Sequence, residues 1–127
     1  MIRILLVDDN TDYRQTFYRM LERQADIEVV GQADSLAAAR QLLRGVDLAL
    51  IDRGLPDGDG LEIISELREA SPGAAVLVMS STVEQAHPED AVEAGADGVL
   101  DKIETPQQIF ATIREVRSGQ SERRSGP

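Results

Sequence analysis

Residues 48–52 read Leu-Ala-Leu-Ile-Asp, an uninterrupted apolar run that ends in a carboxylate. The same pattern occurs near the N-terminus, where Ile-Leu-Leu-Val at residues 4–7 is followed by Asp8 and Asp9. Continuous apolar runs, as opposed to alternating ones, are typical of strands that are covered on both faces in a parallel sheet. These segments therefore predict buried parallel strands that place acidic side chains at their carboxyl ends.

Five short apolar runs recur along the chain, at residues 4–7, 27–30, 48–51, 74–79 and 98–100. The segments between and after them carry apolar residues at the spacing of amphipathic helices, as Ile109, Ile113 and Val116 do in the last one. Strands that alternate with helices in this way predict an α/β, doubly wound fold with right-handed crossovers. We expect a five-stranded parallel sheet flanked by five helices.

Local signals mark where several helices begin and end. Ser35 is predicted to cap the second helix, and Thr105 with Gln108 forms a capping-box pattern at the start of the fifth. Pro88 and Gly95 are predicted to bound a short fourth helix.

Length and composition restrict the class of protein. At 127 residues the chain has the length of one domain. We expect residues 1–118 to form this domain. Residues 119–127 hold no apolar side chain, and we expect them to be a disordered tail or the start of a linker.

A formal net charge of −10 argues against direct binding of nucleic acid or membrane surfaces. The absence of Cys and the single His87 exclude disulfides, thiolate zinc sites and histidine metal clusters. No run approaches the roughly 18 apolar residues of a membrane span, so a cytoplasmic location is expected.

Polar side chains follow four of the five runs. Ligands of open α/β sheets bind beyond the carboxyl ends of the strands, so these side chains are predicted to surround one crevice. They are Asp8, Asp9, Asp52, Ser80 and Lys102. Clustered carboxylates repel one another, and a hard divalent cation relieves that repulsion. Mg²⁺ suits such a site better than Ca²⁺ because it binds through one or two carboxylates plus phosphate oxygens and waters.

Taken in order and spacing, four segments resemble the receiver domain of two-component response regulators: residues 4–10, 50–60, 78–80 and 95–102. The resemblance implies a flavodoxin-like fold with strand order 2-1-3-4-5. It also implies a regulatory phosphoacceptor that is not an enzyme, apart from self-phosphorylation by small phosphodonors and self-dephosphorylation.

The resemblance further implies the roles of individual residues at the phosphorylation site. Asp52 is expected to accept a phosphoryl group from a sensor histidine kinase. Asp8 and Asp9 are expected to bind Mg²⁺ together with Asp52 and the main-chain carbonyl of Gly54.

The resemblance implies a switch as well. Ser80 takes the place of the switch hydroxyl, and Lys102 takes the place of the lysine that contacts the phosphoryl group. Phosphorylation is expected to alter the surface around the fourth helix, fifth strand and fifth helix, and so to control an output domain or downstream protein, with homodimer formation as a further outcome. The C-terminal part is similar to receivers attached to helix-turn-helix domains of the LuxR type, so we expect either a stand-alone regulator or a fragment of one.

Four positions depart from the commonest pattern of the family. Val99 stands where many members carry Tyr or Phe, so an aromatic rotamer switch is not expected there. Ile103 stands where many members have Pro, and a trans Lys102–Ile103 peptide is predicted because a cis bond before a non-proline residue costs about 3–4 kcal/mol. Gly54 and Thr82 offer no carboxylate or amide to orient an attacking water, which leaves the phosphoryl lifetime open.

Other interpretations of the same residues remain open at this point. Residues 8–11, Asp-Asp-Asn-Thr, could form only an acidic cap at the start of a helix. Residues 57–60, Asp-Gly-Asp-Gly, are interpreted as a turn plus helix cap and not as a calcium loop. A Mg²⁺-dependent phosphohydrolase with an Asp nucleophile is the alternative enzyme, although Asn10 stands where its second Asp would be expected. A degenerate receiver that only binds partners is the third alternative.

Overall fold

The computed structural model describes residues 1–80 and 88–125, with side chains as far as residue 119. Five parallel strands form the main sheet: β1 (Ile2–Val7), β2 (Ile27–Ala33), β3 (Leu48–Asp52), β4 (Ala75–Ser80) and β5 (Gly98–Asp101). Their order in the sheet is β2-β1-β3-β4-β5, which confirms the predicted doubly wound topology. The chain adds β2 on one side of β1 and then crosses back to add β3 on the other side, so β1 and β3 are neighbours. The crevice lies at the carboxyl ends of β1 and β3, where the strand order reverses.

Five helices pack against this sheet: α1 (Thr11–Glu22), α2 (Leu36–Ala39), α3 (Ile64–Ala70), α4 (Pro88–Glu93) and α5 (Pro106–Ser125). A 3₁₀ turn at Gly60–Ile63 leads into α3. A small antiparallel hairpin pairs Gly54–Leu55 with Gly58–Asp59 directly after β3. The described residues contain no cis peptide bond, so Lys102–Ile103 is trans, as predicted.

The predicted caps occur where the sequence places them. The Ser35 hydroxyl accepts a hydrogen bond from the Ala38 amide at 3.1 Å at the start of α2. The Thr105 hydroxyl and the Gln108 side chain form the reciprocal bonds of a capping box at the start of α5. Asp59 caps the 3₁₀ turn, which confirms the turn-plus-cap interpretation of residues 57–60. The backbone donors at these helix starts are therefore satisfied locally.

The core lies in two layers, one on each face of the sheet. Residues 48–51 of β3 are completely buried, as their continuous apolar pattern predicts. Alternate strand residues face opposite layers: Val7 packs with residues of α2, α3 and α4, whereas Leu6 packs with residues of α1 and α5. Burial on both faces fixes the positions of the strand ends, and this places the crevice.

The C-terminal helix is longer than expected. Residues 119–127 were expected to be disordered or to begin a linker, but α5 continues to Ser125. A helix that has already nucleated adds residues at little cost, and residues 120–125 contain neither Gly nor Pro. Polarity alone therefore does not end a helix. The domain boundary at residue 118 stays a prediction.

Among the described residues, no helix has the length and apolar character needed to cross a bilayer.

Candidate functional site

The sheet register brings the predicted carboxylates together. Val7 pairs with Ile51 across β1 and β3, so Asp8 and Asp52 follow at adjacent strand ends. On the other side of β3, Asp52 pairs with Met79, the residue before Ser80. Parallel strands that end in register therefore gather polar residues from distant parts of the chain at one edge.

Lys102 closes the cluster from β5. Its Nζ lies 2.7 Å from Asp8 Oδ2 and 2.9 Å from Asp52 Oδ2. Its backbone amide donates a 2.9 Å hydrogen bond to the Ser80 carbonyl, which fixes the loop after β5 against the end of β4. The Asp8 side chain is fully buried, and those of Asp52 and Lys102 are each 11% exposed. The ammonium therefore bridges two buried carboxylates.

Burial and charge act in opposite directions on these groups. Burial raises the pKa of Asp52, the Lys102 ammonium lowers it, the Asp8 carboxylate raises it, and the net direction is upward. Burial lowers the pKa of Lys102, but the carboxylates of Asp8 and Asp52 outweigh this and the pKa of Lys102 is raised. The carboxylates of Asp8 and Asp52 therefore favour the charged form of Lys102. The single ammonium does not fully offset the burial of Asp52, whose pKa stays raised.

The acidic residues fit a divalent cation. Asp8, Asp9 and Asp52 each offer one carboxylate oxygen, and these oxygens lie within 4.8 Å of one another. Asp8 Oδ2 is buried and faces the Lys102 ammonium at 2.7 Å. Oxygen donors with excess negative charge are the ligands that Mg²⁺ prefers. The Gly54 amide donates to Asp52 Oδ1 at 3.1 Å, which places the Gly54 backbone beside the cluster.

A cavity of about 530 Å³ opens above the cluster. It is lined by Asp9, Asn10, Asp52, Arg53, Gly54, Asp59, Ser80 and Lys102. All of the predicted site residues except the fully buried Asp8 line this cavity. Thr82, which the sequence also singled out, lies outside the described residues.

The interpretation of residues 8–11 as only a helix cap is wrong: Asn10 caps α1, whereas Asp8 and Asp9 belong to the acidic cluster. Asn10 is the N-cap of α1, and its side chain accepts a 3.0 Å hydrogen bond from the Tyr13 amide. Asp8 Oδ1 accepts a 2.9 Å bond from the Asn10 amide, and Asp8 Oδ2 faces Lys102. The cap and the acidic cluster are therefore formed by different residues.

Sequence reasoning missed three residues near the site. The Arg14 guanidinium donates a 2.6 Å hydrogen bond to the Asp8 carbonyl and holds the end of β1. The Tyr13 ring lies against Lys102. Arg53 forms ion pairs with Asp59 at 3.0 Å and with Asp90 of α4 at 3.3 Å. Lys102, by contrast, was predicted from the sequence, where it is also conspicuous as the single lysine among many arginines.

Comparisons with known proteins agree with this geometry. Residues 4–114 match the family model described as response regulator receiver domain. The chain is 34% identical over 122 residues to the response regulator UvrY of Escherichia coli strain K12, an alignment that covers 94% of this chain and 56% of UvrY. The chain thus spans about half the length of the curated relatives it matches.

Solved structures show the same fold. A two-component response regulator of the LuxR family from Aurantimonas sp. SI85-9A1 superposes with a TM-score of 0.82 at 30% identity, covering 92% of this chain and 85% of that one. A response regulator from Burkholderia pseudomallei, solved with a phosphorylated aspartic acid, a calcium ion and citrate, superposes with a TM-score of 0.79 at 26% identity. That alignment covers 98% of this chain and 74% of that one.

Proposed function

Because this chain belongs to the receiver domain family of two-component response regulators and is a phospho-accepting signalling module, we propose that Asp52 is its phosphoacceptor. The observation that carries the proposal is the position of the Asp52 carboxylate. It lines an open cavity, lies 2.9 Å from the Lys102 ammonium, and has an oxygen within 4.8 Å of carboxylate oxygens of Asp8 and Asp9.

The chemistry of phosphoryl transfer matches this arrangement. One Asp52 carboxylate oxygen forms a bond to phosphorus while the bond between phosphorus and the donor breaks. The donor, a kinase imidazole or the acetate of acetyl phosphate, leaves with the electron pair, and an acyl phosphate remains. Such a reaction needs charge neutralisation and in-line positioning more than covalent assistance. Lys102 supplies a cation within reach of the transferred group.

Asp8, Asp9 and Asp52, with the Gly54 carbonyl, are the residues proposed to hold Mg²⁺. A bound cation would neutralise charge on the transferred oxygens. Asp8 is fixed for this role because its Oδ1 accepts the Asn10 amide while Oδ2 faces the Lys102 ammonium. Arg14 holds the Asp8 carbonyl, so the end of β1 is constrained from both sides.

Ser80 and Lys102 are the proposed route by which the signal leaves the site. Ser80 is 95% buried at the end of β4, and its carbonyl already binds the Lys102 amide. Charge-assisted hydrogen bonds to a phosphorylated Asp52 draw both side chains inward. Val99 on β5 is β-branched and short, so the displacement passes through the backbones of β4 and β5 and reaches the surface of α4, β5 and α5.

Partners are proposed by analogy with the family. A sensor histidine kinase is the phosphoryl donor, and an output domain or downstream protein reads the altered surface, with homodimer formation on phosphorylation as a further outcome. Direct DNA binding by these 127 residues is not expected at a net charge of −10. The proposed site of action is the cytoplasm. The phosphohydrolase alternative is not favoured, because the family match covers residues 4–114.

Intact-mass spectrometry after treatment with acetyl phosphate tests the phosphoacceptor. We expect a mass gain of one phosphoryl group with Mg²⁺ and little gain without it, and no gain in Asp52→Asn. Ser80→Ala is the matched control, since Ser80 lines the same cavity, and this variant should still be phosphorylated. Incorporation into Asp52→Asn at the wild-type level would contradict the proposal.

The proposed route through Ser80 and Lys102, called the relay below, has its own test. Beryllium fluoride mimics the phosphoryl group, and amide chemical shifts then report which residues respond. We expect the changes to fall mainly on residues 80–103 in wild-type protein, and most of them to be lost in Ser80→Ala. Changes confined to the neighbourhood of Asp8, Asp9 and Asp52 would show that the relay is wrong.

A further inference from the structure

The Lys102 ammonium has an aromatic neighbour on α1. The Tyr13 ring centroid lies 4.8 Å from Lys102 Nζ, within the range of a cation–π interaction. The Tyr13 ring is itself held in place by Phe17, whose ring is stacked at 5.8 Å between centroids and 13° between planes. Phe17 is 1% exposed. The ring that faces the lysine is therefore anchored in the core.

This contact differs in kind from the other two contacts of the ammonium. Asp8 and Asp52 hold Nζ by charge at 2.7 and 2.9 Å. Both are also proposed metal ligands, and Asp52 is the proposed phosphoacceptor, so their charge and partners change during the reaction. The Tyr13 ring undergoes neither change. It is the one of these three neighbours that stays the same before and after phosphorylation.

The Tyr13 hydroxyl contributes nothing comparable. Its oxygen is buried and makes no hydrogen bond within the described residues. The pKa of Tyr13 is raised, first because of burial, which agrees with a neutral phenol beside the cluster. Within the described residues, the ring face is therefore the part of Tyr13 that contacts the site.

We propose that Tyr13 is a positioning residue for phosphoryl transfer, and that its ring face holds the Lys102 ammonium beside the Asp52 carboxylate that receives the phosphoryl group. The proposal rests on the function proposed above, in which Asp52 accepts that group. Without the ring, Lys102 would sample more conformations and would be more hydrated, and its charge would be less well placed for the transferred oxygens.

Lys102 is the single lysine in the sequence, which allows a direct measurement of the contact. Protein labelled with ¹³C-lysine gives one set of lysine side-chain signals. In wild-type protein we expect the Lys102 ε-protons to be shifted by the aromatic ring and to show nuclear Overhauser contacts to the Tyr13 ring protons. The absence of both effects in folded wild-type protein would overturn the proposal without any variant.

Substitutions then separate the ring from mere packing. Tyr13→Phe keeps the ring face, so it should retain the ring-induced shift and the wild-type rate of phosphorylation by acetyl phosphate with Mg²⁺. Tyr13→Leu keeps apolar bulk but loses the ring, and its rate should fall by roughly three- to thirtyfold, as expected for the loss of a largely desolvated cation–π contact. Tyr18→Leu, on the same helix, is the matched control and should react at the wild-type rate.

The outcomes distinguish this proposal from the proposed function. If wild-type protein takes up no phosphoryl group, the phosphoacceptor proposal fails, while the lysine signals still test the Tyr13 contact. If wild-type protein is phosphorylated and Tyr13→Leu reacts equally fast, the positioning role is wrong. Equal losses in Tyr13→Phe and Tyr13→Leu would also overturn it, because the hydroxyl and not the ring would then matter. If Tyr13→Leu does not fold, the lysine spectrum of wild-type protein and the phosphorylation rate of Tyr13→Phe test the proposal.

Discussion

Gly60 lies directly against the main chain of Asp52, so that a β-carbon at residue 60 would overlap the Asp52 carbonyl oxygen. The same β-carbon would lie 2.8 Å from Cγ2 of Ile51. The Gly60 amide also donates a 2.8 Å hydrogen bond to the Arg53 carbonyl. The loop after β3 is therefore folded back on the proposed phosphoacceptor, and the close approach requires glycine.

Gly60→Ala should destabilise the protein by about 1–3 kcal/mol, because the methyl group forces the Asp52 backbone to move. Phosphorylation by acetyl phosphate should slow as well. Urea unfolding and intact-mass kinetics measure the two effects. Gly54→Ala is the matched control in the same loop, since a β-carbon there meets nothing within 4 Å and leaves the carbonyl in place. Equal stability of the two variants would contradict the close packing.

Asp52→Asn should stabilise the metal-free protein by roughly 0.5–2 kcal/mol, the usual range of a stabilising substitution, because it removes one of two buried carboxylates that share one ammonium. Burial raises the pKa of Asp52 in the folded state above its ordinary value of 3.8. The protonated Asp52 carboxyl therefore stabilises the folded wild-type protein below pH 3.8, and this stabilisation is lost as the pH rises through the folded-state pKa. The difference in unfolding free energy between Asp52→Asn and wild-type protein should grow between these two pKa values and stay constant at higher pH. Urea unfolding from pH 3.5 to pH 8 measures this difference; an advantage that shrinks with rising pH would argue against it.

Mg²⁺ should raise the melting temperature of the protein, because a cation bound by the folded carboxylates and not by the unfolded chain stabilises the native state. At ten times the dissociation constant the gain is about 1.4 kcal/mol. Thermal unfolding with MgCl₂, against NaCl at matched ionic strength, measures it. Asp9→Asn should weaken the response, since Asp9 offers one of the three clustered oxygens. Identical Mg²⁺ responses in wild-type and Asp9→Asn protein would remove Asp9 from the site.

Asp97→Ala should cost about 2–4 kcal/mol of stability. Asp97 Oδ2 lies 2.7 Å from the Arg68 guanidinium and accepts a 2.8 Å hydrogen bond from the Val76 amide, and the side chain is 6% exposed. Its removal takes the side-chain acceptor from the buried Val76 amide and the ion-pair partner from Arg68.

The exposed pair of Asp26 and Arg114 is the control for Asp97→Ala. Its atoms lie at a similar distance, 2.8 Å, but both side chains are more than 40% exposed. Asp26→Ala should change the free energy of unfolding by less than about 1 kcal/mol. Chemical denaturation of both variants gives the comparison, and similar costs would mean that burial does not decide the strength of these pairs.

Much of the fold could be predicted because its signals are local. A continuous apolar run such as residues 48–51 indicates a strand buried on both faces without reference to the rest of the chain. Ser35 and Thr105 act on amides within three residues, so their caps are also visible in the sequence. The polarity of residues 119–125 was misleading, since α5 runs to Ser125 and helix propagation does not require apolar side chains.

Other contacts could not be predicted because they join elements far apart in the chain. Asp57 accepts hydrogen bonds from the Leu36 and Ala37 amides, 20 or more positions away, and so caps α2 from the hairpin loop. Arg53 reaches Asp90, 37 positions away on α4. No periodicity or spacing rule encodes such pairs, because the folded backbone alone sets the distance between their side chains.

The sequence by itself determined the strand–helix alternation and the residue types at the strand ends: carboxylates after β1 and β3, a hydroxyl ending β4 and an ammonium after β5. Only the tertiary structure decided how these groups meet. The parallel register places Asp8 beside Asp52, and the loop after β5 brings Lys102 between them. Helix α1 then sets the Tyr13 ring against that lysine. The physical reason is that backbone patterns act over a few residues, whereas burial, ion pairing and ring contacts depend on distances that exist only after the sheet has formed.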